Sequence, residues 1–179
     1  MRDKQFIREM NGLHCISHAS LGSRKFNRLM NEGVLVAFAD GLLYNNNAYL
    51  FVGMPRSGKT TLVRMFNNYN RNSTILSEDS TTISIDNRLL VYETAKSPHA
   101  DLNPVISNGI SYTLSKIISL DNNSSMDNVL LRMFSLNSTG DVNPIKRYFN
   151  DVPLIHLPKQ KSVRDRYSHL KHVLMDYNN

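Results

Sequence analysis

The chain has 179 residues, 41% of them hydrophobic and 20% charged, which suffices for one domain with a proper core but not comfortably for two. No run approaches the roughly 18 consecutive apolar residues of a membrane span, and the start "MRDKQFIREMNGLH" lacks the apolar centre of a secretory signal, so a soluble, cytoplasmic protein is expected. The lone Cys15 excludes an intramolecular disulfide and a thiolate zinc cluster, and the net charge of +6 is interleaved with acids and apolar residues, which reads as solvated surface and attraction of an anionic ligand rather than as a nucleic-acid tract.

Residues 1–33 read as an N-terminal extension, in which "KFNRLM" fits a short amphipathic helix with Phe26, Leu29 and Met30 on one side. A single α/β core is expected over 34–158, with a C-terminal helix over 159–179. Two apolar runs, Val34 to Phe38 and Ala48 to Val52, flank "DGLLYNNN", whose asparagines tolerate left-handed backbone. The stretch therefore predicts strand, short strand, tight turn and buried strand. After a glycine-containing loop, "TTLVRMFNNYN" predicts a helix with Leu62, Met65, Phe66 and Tyr69 on its apolar side.

Next, Thr74 to Leu76 forms a short β-prone run ending in Ser77-Glu78-Asp79, and "TTISI" and "RLLVYE" predict a hairpin around Asp86-Asn87. Ser97 to Gly109 reads as a long loop. It is followed by a strand "ISYTLSKIISL", a turn "DNNSS", a helix in "MDNVLLRMFSL", a loop "NSTGDVNP", the segment "IKRYF", a strand "VPLIHLP" and a final helix. That helix is expected to bury Val163, Tyr167, Leu170, Val173 and Leu174. Arg164 and Arg166 would then lie on its charged face, by default in surface ion pairs with Asp165 and Asp176, with transition-state charge as the alternative role. His99 and His156 read as surface and structural residues, and His14, His18, His169 and His172 have no metal-ligand spacing.

The chemistry concentrates in "YLFVGMPRSGKTTLVRMF". Gly53, Gly58, Lys59 and Thr60 complete the pattern G-x-x-x-x-G-K-[ST], and a predicted strand precedes it and a predicted helix follows. The glycines let backbone N–H groups curl into an anion-holding nest that a β-carbon would obstruct. Lys59 is expected at the β- and γ-phosphates of a nucleoside triphosphate, Thr60 at Mg²⁺, and the helix dipole behind them. A chance match occurs in on the order of one chain in two hundred of this length, and the strand–loop–helix setting lowers that further. Such a loop needs an acid to position the metal, and Glu78 and Asp79, about twenty residues on, are the candidates, one for Mg²⁺ and one for the proton of an attacking hydroxyl.

Together, "GMPRSGKTTL", the close-following "LSEDSTTI" and the hairpin "SIDNRLLVYETAKSP" resemble the HPr kinase and phosphoenolpyruvate carboxykinase superfamily, particularly its small HPr-kinase-like proteins. The resemblance implies a mixed-sheet phosphate-loop domain of the HPr kinase C-terminal type. It implies that Gly53, Met54, Pro55, Arg56, Ser57, Gly58, Lys59, Thr60 and Thr61 hold the phosphates of ATP or another purine nucleotide, and that Thr60 and Asp79 ligand Mg²⁺. Glu78 takes the place of the family's catalytic aspartate, and Phe38 or Ala37 that of a common upstream histidine. The implied function is transfer of the γ-phosphoryl group to a Ser or Thr hydroxyl of a peptide or small protein. A nucleotide-binding regulatory protein and a simple NTPase are the alternatives. Relatives often associate, so a homo-oligomer belongs to the expectation.

Overall fold

Polar residues interrupt the apolar run 34–52 twice. In the computed structural model, which describes residues 33–85, 89–94, 106–122, 124–134, 142–157 and 159–175, the run becomes β1 (Val34–Ala37), β2 (Asp40–Tyr44) and β3 (Asn47–Val52). Asn45 and Asn46 have φ of 47° and 64°, the left-handed pair that closes a two-residue hairpin. The turn sets the register of β2 on β3, with Asp40 opposite Phe51 and Tyr44 opposite Asn47.

There follow α1 (Lys59–Tyr69), β4 (Ser73–Ser77), β5 (Thr81–Ile85), β6 (Leu89–Thr94), β7 (Ile106–Ser119), α2 (Met126–Met133), α3 (Asn143–Phe149), β8 (Leu154–His156) and α4 (Val163–Met175). The strands form one mixed eight-stranded sheet in the order β1-β5-β6-β7-β3-β2-β4, with β8 also on β7. The α/β class and mixed sheet expected from the sequence are therefore present. β2 runs antiparallel to both β3 and β4, whereas β7 is parallel to β3 and β8 to β7. Consequently β3, β4, β7 and β8 all end at one edge of the sheet, and β2 begins there.

Side chains alternate between the faces of a strand, and β3 is apolar on both. Ala48, Leu50 and Val52 pack with Val129, Leu130 and Met133 of α2 and Ile145 and Phe149 of α3. Tyr49 and Phe51 join the second cluster, with Leu62, Val63 and Phe66 of α1 and Leu170 and Leu174 of α4. Helices thus cover both faces, the setting in which a strand loses its polar alternation. No described helix is long and apolar enough to cross a membrane.

Three expectations are corrected. The buried face of α1 is Leu62, Val63 and Phe66, while Tyr69 is 72% exposed. β7 already begins at Ile106, opposite Thr94 of β6, so 106–109 are strand rather than loop. In α4 the buried stripe is Arg166, Leu170 and Leu174, four residues apart, and Val163 is half exposed. The helix is rotated from the face its apolar residues suggested, because Arg166 finds backbone partners at the sheet edge. The amphipathic segment 25–30, the Asp86-Asn87 turn, residues 97–105 of the expected loop, Cys15, His14, His18, His99 and Asp176 lie outside the described residues.

Phe66 is fully buried and meets the Tyr44 ring edge-on at 5.1 Å. Phe66→Ala should lower the unfolding free energy by about 3–5 kcal/mol, measured by urea denaturation, because it opens a cavity under the helix that follows the loop.

Candidate functional site

Between the end of β3 and the start of α1 the chain makes the loop Gly53–Gly58, and its two glycines serve different needs. A β-carbon on Gly53 would stand 2.8 Å from the Ser57 hydroxyl oxygen and 3.0 Å from Leu120 Cβ, so the requirement there is space. Gly58 has open space around it but a φ of 92°, so the requirement there is conformational. Gly58 is also the N-cap of α1, and no side chain caps it, which leaves the first N–H groups of the helix facing a ligand or water.

Groups from three sides hold the loop. Lys59 Nζ donates to the carbonyls of Gly53 at 3.1 Å and Met54 at 3.4 Å. Asp121, just past β7, accepts the Met54 N–H at 3.4 Å and is itself paired with Arg132. Arg166 donates to the Ser57 carbonyl at 2.8 Å. The expected surface ion pairs of Arg166 are thus replaced by a buried position, 7% exposed, among backbone carbonyls.

The two acids after β4 separate. Glu78 is bound by Arg64 through both oxygens, with Nε and Nη2 each at 2.8 Å. Asp79 has a φ of 63°, a left-handed turn uncommon for a residue with a side chain. It lines a cleft of about 320 Å³ together with Phe38, Pro55, Arg56, Gly58, Lys59, Thr60 and Thr61. The seven lining residues other than Phe38 are therefore all loop, helix-start or acidic-turn residues singled out from the sequence.

Behind Asp79 stands Asp40, the first residue of β2 and wholly buried. Its Oδ1 accepts the Asp79 N–H at 2.8 Å, which helps hold the left-handed turn, whereas Oδ2 is buried with no partner of good hydrogen-bond geometry. Burial pushes its carboxyl up from the ordinary 3.8. The Asp79 N–H and the Thr60 hydroxyl oppose this, the Asp79 carboxylate adds to it, and the Lys59 ammonium offsets part of it. Lys59 is shifted down, first by burial, against the pull of Asp40 and Asp79. Its ammonium also lies 5.0 Å from the centre of the Phe38 ring, within cation–π range.

This donor set suits a hard cation. Thr60 offers a hydroxyl and Asp79 a carboxylate, with the buried Asp40 carboxyl behind them in contact with the Thr60 hydroxyl. Among the described residues no three His, Cys, Asp or Glu side chains gather as metal ligands, and Mg²⁺ characteristically takes one or two carboxylates and completes its shell with phosphate oxygens and water.

No family model matches the chain, and no curated protein matches it in sequence. Among solved structures it is similar to the HPr(Ser) kinase/phosphatase from Coxiella burnetii, with 15% identity and a TM-score of 0.49 over 80% of this chain and 90% of that one. The likeness assigns no role to any residue; roles here rest on the geometry.

Sequence reasoning missed Asp40 and misplaced Arg166. The signal for Asp40 was a lone carboxylate inside the apolar run "VLVAFADGLLY", a position where an acid needs partners. Phe38, noted only as standing where a histidine was sought, does line the cleft. His156, expected to be structural, closes β8 with its Nδ1 3.4 Å from the Asp121 carbonyl oxygen.

Asp40→Asn tests the buried charge. A raised folded-state value means that Asp40 favours the fold below its unfolded value near 3.8 and that this contribution is lost as pH rises through the folded value. The ligand-free Asp40→Asn variant should therefore melt higher than the parent at pH 7, with the difference shrinking as pH falls toward 3. Thermal scans across that range check it.

Proposed function

We propose that the chain is an Mg²⁺-dependent nucleotide-binding phosphotransferase that moves the γ-phosphoryl group of ATP, or of another purine nucleoside triphosphate, to a Ser or Thr hydroxyl of a peptide or small protein. The observation that carries this reading is the convergence of Lys59, Thr60 and Asp79 on one cleft at the uncapped start of α1. Backbone N–H groups of the loop and of the first turn of α1 would bind the phosphates, and the Lys59 ammonium would neutralise charge on the β- and γ-phosphates. Held by the Thr60 hydroxyl and the Asp79 carboxylate, Mg²⁺ would supply further neutralisation of the phosphate oxygens.

Glu78 is the proposed base. As the acceptor oxygen bonds to the γ-phosphorus and the bond to the bridging oxygen of the β-phosphate breaks, the hydroxyl proton passes to the Glu78 carboxylate. Arg64 holds that carboxylate by both oxygens and is itself well exposed, and Glu78 directly precedes Asp79, which lines the cleft. Most of the rate would come from positioning and charge neutralisation.

The same ion pair supports a second reading. A carboxylate engaged twice by an arginine is a poorer proton acceptor, so a nucleotide-binding regulatory protein that has lost efficient transfer is the alternative.

Incubation with Mg²⁺ and γ-labelled ATP, with and without a cell extract as acceptor source, tests both. The proposed kinase puts label on a protein or peptide. Label that stays in bound ATP supports the regulatory reading, and release as free phosphate alone supports an NTPase. Lys59→Ala should weaken nucleotide binding by about 10- to 100-fold in calorimetric titration. Glu78→Gln should leave that affinity unchanged and lower transfer by about 10²–10⁴-fold. Unimpaired transfer by Glu78→Gln would move the base to another residue, with Asp79 nearest the cleft.

A further inference from the structure

We infer that Arg166 is a positioning residue for the phosphate loop, through which the docking of α4 and the binding of a triphosphate are coupled. The inference rests on the reading of Gly53–Thr61 as the triphosphate seat. An arginine on the buried stripe of a helix, in line with Leu170 and Leu174, carries a desolvation cost unless its donors are paired. Those of Arg166 are paired entirely with main chain. Nε and Nη2 reach the Leu157 carbonyl at 3.2 and 2.7 Å, Nη2 also the Leu120 carbonyl at 2.7 Å, and Nη1 the Ser57 carbonyl at 2.8 Å. One guanidinium thereby joins the residue after β8, the residue after β7 and the phosphate loop.

The Ser57 contact bears on ligand binding through the geometry of one peptide unit. The unit is planar and trans, so its C=O and N–H point in opposite directions. Fixing the Ser57 carbonyl on Arg166 therefore turns the Gly58 N–H away from α4. Gly58 lines the cleft and caps α1 in a left-handed conformation, so the N–H thus turned is one of the donors an anion there would use. A lysine could not replace this fork, because its single ammonium cannot span three carbonyls on separate segments. At the other end of the loop Asp121 fixes the Met54 N–H, which leaves Arg166 as the tie nearest the helix.

By reciprocity, a residue in α4 that tightens triphosphate binding must itself be tightened by it. A residue that only staples α4 to the sheet would give stability without that coupling. The test titrates the full chain with Mg-ATP and with inorganic tripolyphosphate, which reports on the loop alone, for the parent, Arg166→Met, Arg166→Lys and Leu170→Ala. Leu170→Ala removes core packing beneath the same helix while leaving the helix docked, with Arg166 and the three carbonyls in place. The expected result is a loss of affinity of ~10-fold for both probes in Arg166→Met and Arg166→Lys, with Leu170→Ala less stable in urea yet within about twofold of the parent in affinity. Equal affinity in the arginine variants, or an equal loss in Leu170→Ala, would overturn the inference and leave Arg166 a helix staple.

Amide hydrogen exchange on the parent keeps the question decidable if the variants fail to fold. Tripolyphosphate should slow exchange across Val163–Met175, and unchanged exchange in a chain that binds it would overturn the coupling. A parent chain that binds neither probe refutes the triphosphate seat itself, and the inference falls with it.

Discussion

Strand direction decides where the chemistry of this chain can be. With β4 antiparallel to β2, and β7 and β8 in the direction of β3, four strands deliver their last residues to one edge of the sheet while β2 delivers its first. The glycine loop Gly53–Gly58 follows β3, the acidic turn follows β4, Asp121 follows β7, Leu157 follows β8, and Asp40 opens β2. None of these is near all the others in sequence, and the sheet register alone brings them together. The carboxyl ends of parallel strands are where open α/β sheets leave a crevice, and here the hairpin turn at Asn45-Asn46 fixes how far Asp40 reaches into it.

Charges at that edge are arranged in depth. Lys59 lies between the loop carbonyls it bonds and the carboxylates of Asp40 and Asp79, whose attraction opposes the effect of its burial. Asp40 is the deeper acid and acts on the backbone of Asp79, whereas Asp79 is the acid that lines the cleft. The left-handed turn at Asp79 is what separates it from Glu78. Two adjacent carboxylates that would repel if they shared a site are sent to different partners, one to Arg64 and one to the cleft.

Much of this is legible in the sequence. The strand, loop and helix around Gly53–Thr61 follow from apolar periodicity and glycine placement, and the β2–β3 turn follows from asparagine chemistry. Glu78 and Asp79 were legible as residues but not as a divided pair, since the division depends on one φ angle. For Asp40 the chain shows only a lone carboxylate in an apolar run; which residue it serves depends on pairing across the sheet, Gly41 opposite Ser77. Arg166 was misread because helical periodicity scores arginine as solvent-facing, and nothing local reveals that the carbonyls of Leu120 and Leu157 at two strand ends and of Ser57 in the glycine loop take its donors.

Hydrogen-bond accounting in the loop then explains its polarity. Buried main-chain groups must be satisfied, and here the acceptors are the ones the protein provides for. Lys59 takes the Gly53 and Met54 carbonyls, the Ser57 N–H also bonds that of Met54, Arg166 takes that of Ser57, and the Leu62 N–H takes that of Gly58. Two cations, one on each side of the loop, thus draw carbonyls toward themselves. Since each peptide unit opposes its C=O to its N–H, tying down the carbonyls turns donors the other way, at the end of a helix that no side chain caps. The chain's own contacts thus hold the loop in one shape, and a loop already held in its binding shape gives up less ordering entropy when a ligand binds.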